Sequence, residues 1–156
     1  MSTKFITGDI ISANVEALVN PVNIVGVMGK GLALQFKEVF KKNYKIYHQA
    51  CKEGRMNTGK MLITETNLLT NPRYIINFPT KKHWREKSEM EYISSGLDDL
   101  ATVIARYKIK SIAIPPLGCG NGGLKWEEVK PLIVQKLSAV SEVEIVIYEP
   151  SEEVFP

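Results

Sequence analysis

Leu18-Val19-Asn20-Pro21-Val22-Asn23-Ile24-Val25-Gly26-Val27-Met28-Gly29-Lys30-Gly31 is the stretch on which the reading of the fold turns. A short apolar run, residues 17–19, ends in two asparagines that bracket a proline. Three glycines then lead into Leu32-Ala33-Leu34-Gln35-Phe36, whose apolar spacing continues through Val39 and Phe40 and predicts a helix over residues 30–40. A strand that stops in a polar, glycine-rich loop and restarts as a helix is a natural ligand site. Glycines let backbone approach a ligand closely, and the free N–H groups of a helix start favour anions. The stretch therefore suits a nucleotide-type ligand.

On the N-terminal side, residues 4–7 read as a first strand that ends at Gly8-Asp9. Asp9 can accept from an amino group at the strand's exit, or bond its own backbone in a turn. After the first helix, residues 44–52 read as a second, holding His48 and Cys51 as ordinary surface or core residues. Residues 61–66 and 73–78 read as an antiparallel hairpin around the Asn71-Pro72 turn. Next comes Thr80-Lys81-Lys82-His83-Trp84-Arg85-Glu86-Lys87, with four cations against one carboxylate.

Residues 89–107 carry apolar side chains at three- and four-residue steps and predict a long amphipathic helix. Ser111-Ile112-Ala113-Ile114-Pro115 is nearly all apolar, the mark of a central strand buried on both faces. A second glycine-rich loop follows: Pro116-Leu117-Gly118-Cys119-Gly120-Asn121-Gly122-Gly123-Leu124. Residues 126–137 read as its helix, with Pro131 expected to delay or kink it. Residues 143–148 are the last strand, and 151–156 a tail or the start of a linker. Strands alternating with helices, plus one hairpin, imply an α/β fold: a three-layer α/β/α sandwich with a central mixed sheet over residues 1–150. In such sheets ligands sit at the carboxyl ends of central strands, so the two glycine loops meet at one cleft.

Composition narrows the class. The chain has 156 residues, enough for one domain with one core. No apolar run approaches the ~20 residues of a membrane span, and the N-terminus lacks a secretory core. Two cysteines make neither a disulfide framework nor a metal cluster, so a cytoplasmic, metal-free protein is expected. A net charge of +3 is too mild to name a nucleic-acid partner by itself. Neither glycine loop has the spacing of a P-loop or of the dinucleotide fingerprint. What remains is a pair of strand-to-helix glycine loops able to clamp a diphosphate.

Thr7-Gly8-Asp9-Ile10, Val19-Asn20-Pro21-Val22-Asn23, Gly29-Lys30-Gly31-Leu32-Ala33 and Pro116-Leu117-Gly118-Cys119-Gly120 resemble the macrodomain family, in that order and spacing over nearly the whole chain. With Asn77-Phe78-Pro79-Thr80-Lys81-Lys82-His83-Trp84-Arg85 and Gly120-Asn121-Gly122-Gly123-Leu124-Lys125-Trp126, the chain resembles the DarG-type antitoxin branch. That resemblance implies an ADP-ribose ligand, no separate cofactor, and removal of ADP-ribose from thymidine in single-stranded DNA modified by a DarT-type toxin. It also implies that toxin contacts belong to a further C-terminal region. A monomer is expected.

Carried over by position, the resemblance puts Asp9 and Ile10 at the adenine, with Tyr148 as its wall. Asn20 and Asn23 would orient the distal ribose. Met28, Gly29, Gly31 and Leu32 would line ribose and phosphates, and Leu117, Gly118, Cys119, Gly120, Asn121 and Gly122 would wrap the diphosphate. Lys81 matches the lysine on which a lysine-dependent class of glycohydrolases relies. Protein-directed members place an aspartate where this chain has Gly122, so the group that completes the second step is unassigned.

The chemistry of Lys81 can also be argued directly. A neutral amine can attack an anomeric carbon and form a Schiff-base-like intermediate that water resolves. A free lysine titrates near ~10.4, so its charged form must be disfavoured. Lys82 and Arg85 nearby, with burial under a ligand, are expected to do so. Lys82, Arg85 and Lys87 suit DNA phosphates, and Trp84 suits stacking on an unpaired base or covering the base of its loop. Cys119 has no histidine near it in sequence and reads as a packing residue. Two other functions fit the same residues: a module that only binds ADP-ribose, and a deacetylase of O-acetyl-ADP-ribose working near Asn23.

Overall fold

The computed structural model describes residues 2–151. Its strands are β1 (Ser2–Ile6), β2 (Ala17–Val22), β3 (Leu62–Glu65), β4 (Tyr74–Pro79), β5 (Ser111–Ile114) and β6 (Glu144–Tyr148). Its helices are α1 (Gly31–Val39), α2 (Lys41–Lys52), α3 (Met90–Arg106) and α4 (Trp126–Leu137). The strands form one sheet in the order β1-β6-β5-β2-β4-β3. Every pairing is parallel except β3 with β4, the expected hairpin, with Leu62 opposite Asn77 and Glu65 opposite Tyr74. The sheet is thus mixed, with its one antiparallel strand at an edge.

Strand alternation separates the two faces. Ala17, Val19, Ile76, Phe78, Ile112, Ile114, Ile145 and Ile147 point to the face covered by α3 and α4 through Ile93, Leu97, Leu100, Ile104, Val129, Ile133 and Leu137. Leu18, Ile75, Ala113 and Val146 point the other way, toward Phe36 of α1. Tyr47 and Ala50 of α2 pack with Val22 and Met28 on a third cluster. The result is three layers, as expected. Phe78 is fully buried, and its ring lies where a side chain on Gly96 of α3 would begin. The absent Cβ lets α3 settle onto β4; Phe78→Ala would cost about 3–5 kcal/mol.

Pro131 does not delay α4, which runs from Trp126 to Leu137 with the proline inside it. The proline deprives one carbonyl, that of Glu127, of its helical donor. Glu127 lies in the exposed first turn, where water can replace that donor. β2 also extends past residue 20 through Pro21 to Val22, and Thr80 N–H prolongs the pairing by donating to Val22 O at 2.8 Å. Residues 152–156, most of the expected tail, lie outside the described residues. Among the described residues no helix is long and apolar enough to cross a membrane.

Because β1, β6, β5, β2 and β4 are parallel, all five end on one rim of the sheet. That rim therefore gathers the loops after β2, β4 and β5, which carry the first glycines, Lys81 and the second glycines.

Candidate active site

The three loops enclose a cleft of about 570 Å³, a nucleotide-sized space. Its walls are Pro21, Val22, Asn23, Val27, Gly29, Lys30, Leu32 and Ala33 from the end of β2, the first loop and the start of α1, Thr80, Lys81 and Trp84 from the loop after β4, and Pro115, Pro116 and Gly118 through Gly122 from the second glycine loop. The glycine loops touch: a Cβ on Gly31 would stand 3.6 Å from Asn121 Nδ2. Lys30 gives the start of α1 no side-chain cap, so the first-turn N–H groups are left for a ligand at the cleft.

The second loop is held from beneath. Gly118 has φ +74°, and a side chain there would meet Leu124 Cδ1 at 2.6 Å and Ile93 Cδ1 at 3.2 Å. Only glycine combines that conformation with that crowding. Leu124 N–H closes the loop on Gly118 O at 2.9 Å, and Ser88 N–H donates to Gly122 O at 2.9 Å. The loop after β4 and the second glycine loop are thereby one unit.

The asparagines of the opening stretch work inside the protein. Asn23 Oδ1 accepts from the backbone N–H of Val25 at 3.1 Å, Gly26 at 3.2 Å and Val27 at 3.3 Å, and from Tyr47 Oη at 2.8 Å. Its Nδ2 donates to Val27 O at 2.8 Å. Asn23 therefore shapes the first loop from the cleft wall, rather than presenting a free carboxamide to a sugar. Asn20 is fully buried and donates to Asn77 Oδ1 at 3.2 Å. Asn77 and Asn43 exchange bonds of 2.8 and 3.0 Å, and Thr64 Oγ1 donates to Asn43 Oδ1 at 2.7 Å. Asn20 supports the floor through this network, and the expectation that it orients the ribose does not match its placement. Met28 and Leu117 are likewise core residues behind the walls.

At the far end of the rim, Asp9 takes the turn bonding: Oδ1 accepts from Ile11 N–H at 3.1 Å and Oδ2 from Ser12 Oγ at 2.7 Å. Ile10 is buried beneath it. Tyr148 is near enough that, after burial, the Asp9 carboxylate is the further cause holding its hydroxyl above the usual tyrosine range. Asp9, Ile10 and Tyr148 thus gather in one place beside the cleft.

Lys81 stands just beyond β4, half-buried in the cleft wall, with Nζ 3.5 Å from Trp84 O. Its pKa lies below the ordinary lysine value, first through burial and then through the charge of Lys30. Lys82 and Arg85, expected to supply that charge, are directed elsewhere. Lys82 Nζ lies over the Tyr92 ring at 5.7 Å, and the Arg85 guanidinium lies over Trp84 at 4.5 Å. The coupling to Lys30 was not visible in sequence, because the two lysines are 51 positions apart and meet only through the cleft.

Trp84 is partly exposed at the cleft, with His83 stacked at 5.2 Å between centroids. Lys87 lies with its methylenes beside Gly123. The Cys119 thiol is pushed up to about 11 by burial and then by Glu127, so it is protonated at neutral pH. Among the cleft's lining residues there is no carboxylate, and the ionisable ones are Lys30, Lys81 and Cys119.

An α/β/α sandwich on a mixed sheet, with two glycine loops and a lysine on one rim, defines the class: the chain belongs to the macrodomain family, and the Macro domain model matches residues 19–133. It is similar to the macrodomain of Mycobacterium tuberculosis DarG, with 50% identity and a TM-score of 0.94 over 96% of this chain and 98% of that one. A Thermus aquaticus protein described as a DNA ADP-ribosyl glycohydrolase is 53% identical over 96% of this chain and 41% of its own length. Thermosipho africanus DarTG in complex with ADP-ribose is 36% identical, with a TM-score of 0.88 over 99% of this chain and 43% of that one. The chain spans about two fifths of the length of the curated DNA ADP-ribosyl glycohydrolases it matches.

Proposed function

We propose that this domain removes ADP-ribose from thymidine in single-stranded DNA, with Lys81 as the nucleophile. One observation carries the reading. The cleft has a single amine with a lowered pKa on its wall, no carboxylate among its lining residues, and a thiol that stays protonated. The glycohydrolase and DarTG relatives supply the substrate class.

The step balances as a hydrolysis. The Lys81 Nζ lone pair bonds to the anomeric carbon of the distal ribose while the bond from that carbon to the thymine breaks. The pair passes to the base, which takes up a proton. Water then adds to the same carbon and expels Nζ, releasing ADP-ribose and restoring lysine. The glycine loops and the start of α1 would hold the diphosphate, and Asp9, Ile10 and Tyr148 the adenine. Trp84 at the mouth would meet the modified strand's bases, and Lys82, Arg85 and Lys87 its phosphates. The modifying partner would be a DarT-type toxin.

The test offers the protein an ADP-ribosylated thymidine oligonucleotide and an ADP-ribosylated protein side by side, with calorimetry for ADP-ribose binding. Release from the oligonucleotide is expected. Binding of ADP-ribose with release from neither substrate would make the domain a reader instead.

A further inference from the structure

Charge is unevenly spread along the chain. Residues 30–55 hold seven lysines and arginines against two glutamates, a larger excess than the whole protein's +3. Of those glutamates, Glu53 accepts from Gln49 Nε2 at 2.9 Å and from Arg55 Nε at 2.7 Å. Asn43, Tyr47 and Ala50 are the buried residues of α2. The helix repeat then turns Lys41, Tyr44, Lys45, His48 and Lys52 onto the neighbouring flank, where none of them is buried. That flank is a ladder of rings and cations. His48 stacks on Tyr44 with centroids 5.5 Å apart, and the Lys37 ammonium of α1 lies 4.6 Å from the centre of the Tyr44 ring. At its other end the ladder meets the first glycine loop, with His48 Nδ1 3.2 Å from Gly26 O. Val25 and Val27 on either side of Gly26 are exposed, and Val27 lines the cleft. The strip thus runs from the cleft wall to Lys41, about 10 Å along α2 from His48.

We infer that this strip is a second contact surface for single-stranded DNA, and that it holds the part of the substrate strand that runs past the modified thymidine. This rests on the reading of modified DNA as the substrate. Rings interleaved with cations are what an unpaired strand binds, since bases stack on the rings and phosphates meet the cations. The strip is continuous with the cleft in which the modified nucleotide would stand. It also complements the loop after β4. α2 packs with Val22 on one side of the sheet, whereas that loop leads into α3 on the other. The two basic stretches, residues 30–55 and 80–87, therefore flank the rim. A strand crossing the mouth of the cleft meets cations on both sides of it, and aromatic rings at Trp84 on one side and at Tyr44 and His48 on the other.

The test compares ADP-ribose release from a single ADP-ribosylated thymidine nucleotide, which has no neighbours to reach α2, with release from a modified strand of about twenty nucleotides. Replacing the exposed pair, Lys41→Gln with Lys45→Gln, should raise KM for the strand and leave its kcat unchanged. Both constants for the single nucleotide should stay at wild type. The slope of log KM against log salt for the strand should flatten by about 0.7 for each lysine removed. Tyr44→Leu should raise the strand's KM about fivefold or more, whereas Tyr44→Phe, which keeps the ring, should not. A strand KM and salt slope unmoved by the lysine pair, a Tyr44→Leu strand KM equal to wild type, or losses equal for strand and nucleotide would each overturn the inference. Release from neither substrate by the wild-type protein would instead overturn the reading of modified DNA as substrate, so the two failures are distinct.

Discussion

Ser88 occupies the space that a side chain on Gly122 would need. Its Oγ lies too close to where that Cβ would stand for both to fit, and its own Cβ is 3.1 Å from that point, with Lys81 Cε 3.9 Å away. The missing carboxylate at position 122 is therefore tied to a neighbour, and not to that residue alone. A serine from the Lys81 loop packs under the second glycine loop, buried, and its N–H bonds Gly122 O.

Gly122→Asp should consequently melt earlier than wild type, by about 1–3 kcal/mol of overpacking. Ser88→Gly in the same chain should recover most of that loss by vacating the space. Thermal denaturation of the single and double variants reads both effects. A single variant as stable as wild type would show that Ser88 is no obstacle.

Tyr47 fixes the first loop through Asn23. Its hydroxyl reaches Asn23 Oδ1 at 2.8 Å and Asn23 O at 2.9 Å, and burial keeps it protonated as a donor. Tyr47→Phe should cost about 1–2 kcal/mol and weaken ADP-ribose binding several-fold. Chemical denaturation gives the first and calorimetry the second. Unchanged affinity would separate the loop's shape from ligand binding.

Cys119 should be dispensable for chemistry although it lines the cleft. With its thiol pushed up to about 11, little thiolate exists at pH 7. Alkylation at pH 7 should be slow and should quicken as pH rises toward that value. Cys119→Ala should retain ADP-ribose release within a few-fold. Loss of activity in that variant would return the thiol to the mechanism.

Layer order and the gathering of both glycine loops on one rim were legible in the sequence, because strand alternation and glycine placement are local signals. The roles of the asparagines were not. Asn23 reads as a ligand group until Tyr47, 24 positions on, is seen to hold it, and Asn20 until Asn77, 57 positions on, is seen beside it. Polar pairs that far apart leave no periodic trace. Lys81 stood out only through resemblance, since a basic loop is ordinarily a solvated one. The charge acting on it was misassigned to its sequence neighbours because proximity along the chain says nothing of where Lys82 and Arg85 turn.

On this reading Lys81 performs the chemistry while the loops around it bind. Lys81→Ala, incubated with ADP-ribosylated thymidine oligonucleotide and titrated with ADP-ribose by calorimetry, tests it most directly. Release should fall by at least about a hundredfold, with ADP-ribose affinity within a few-fold of wild type. Release at the wild-type rate in that variant would contradict it.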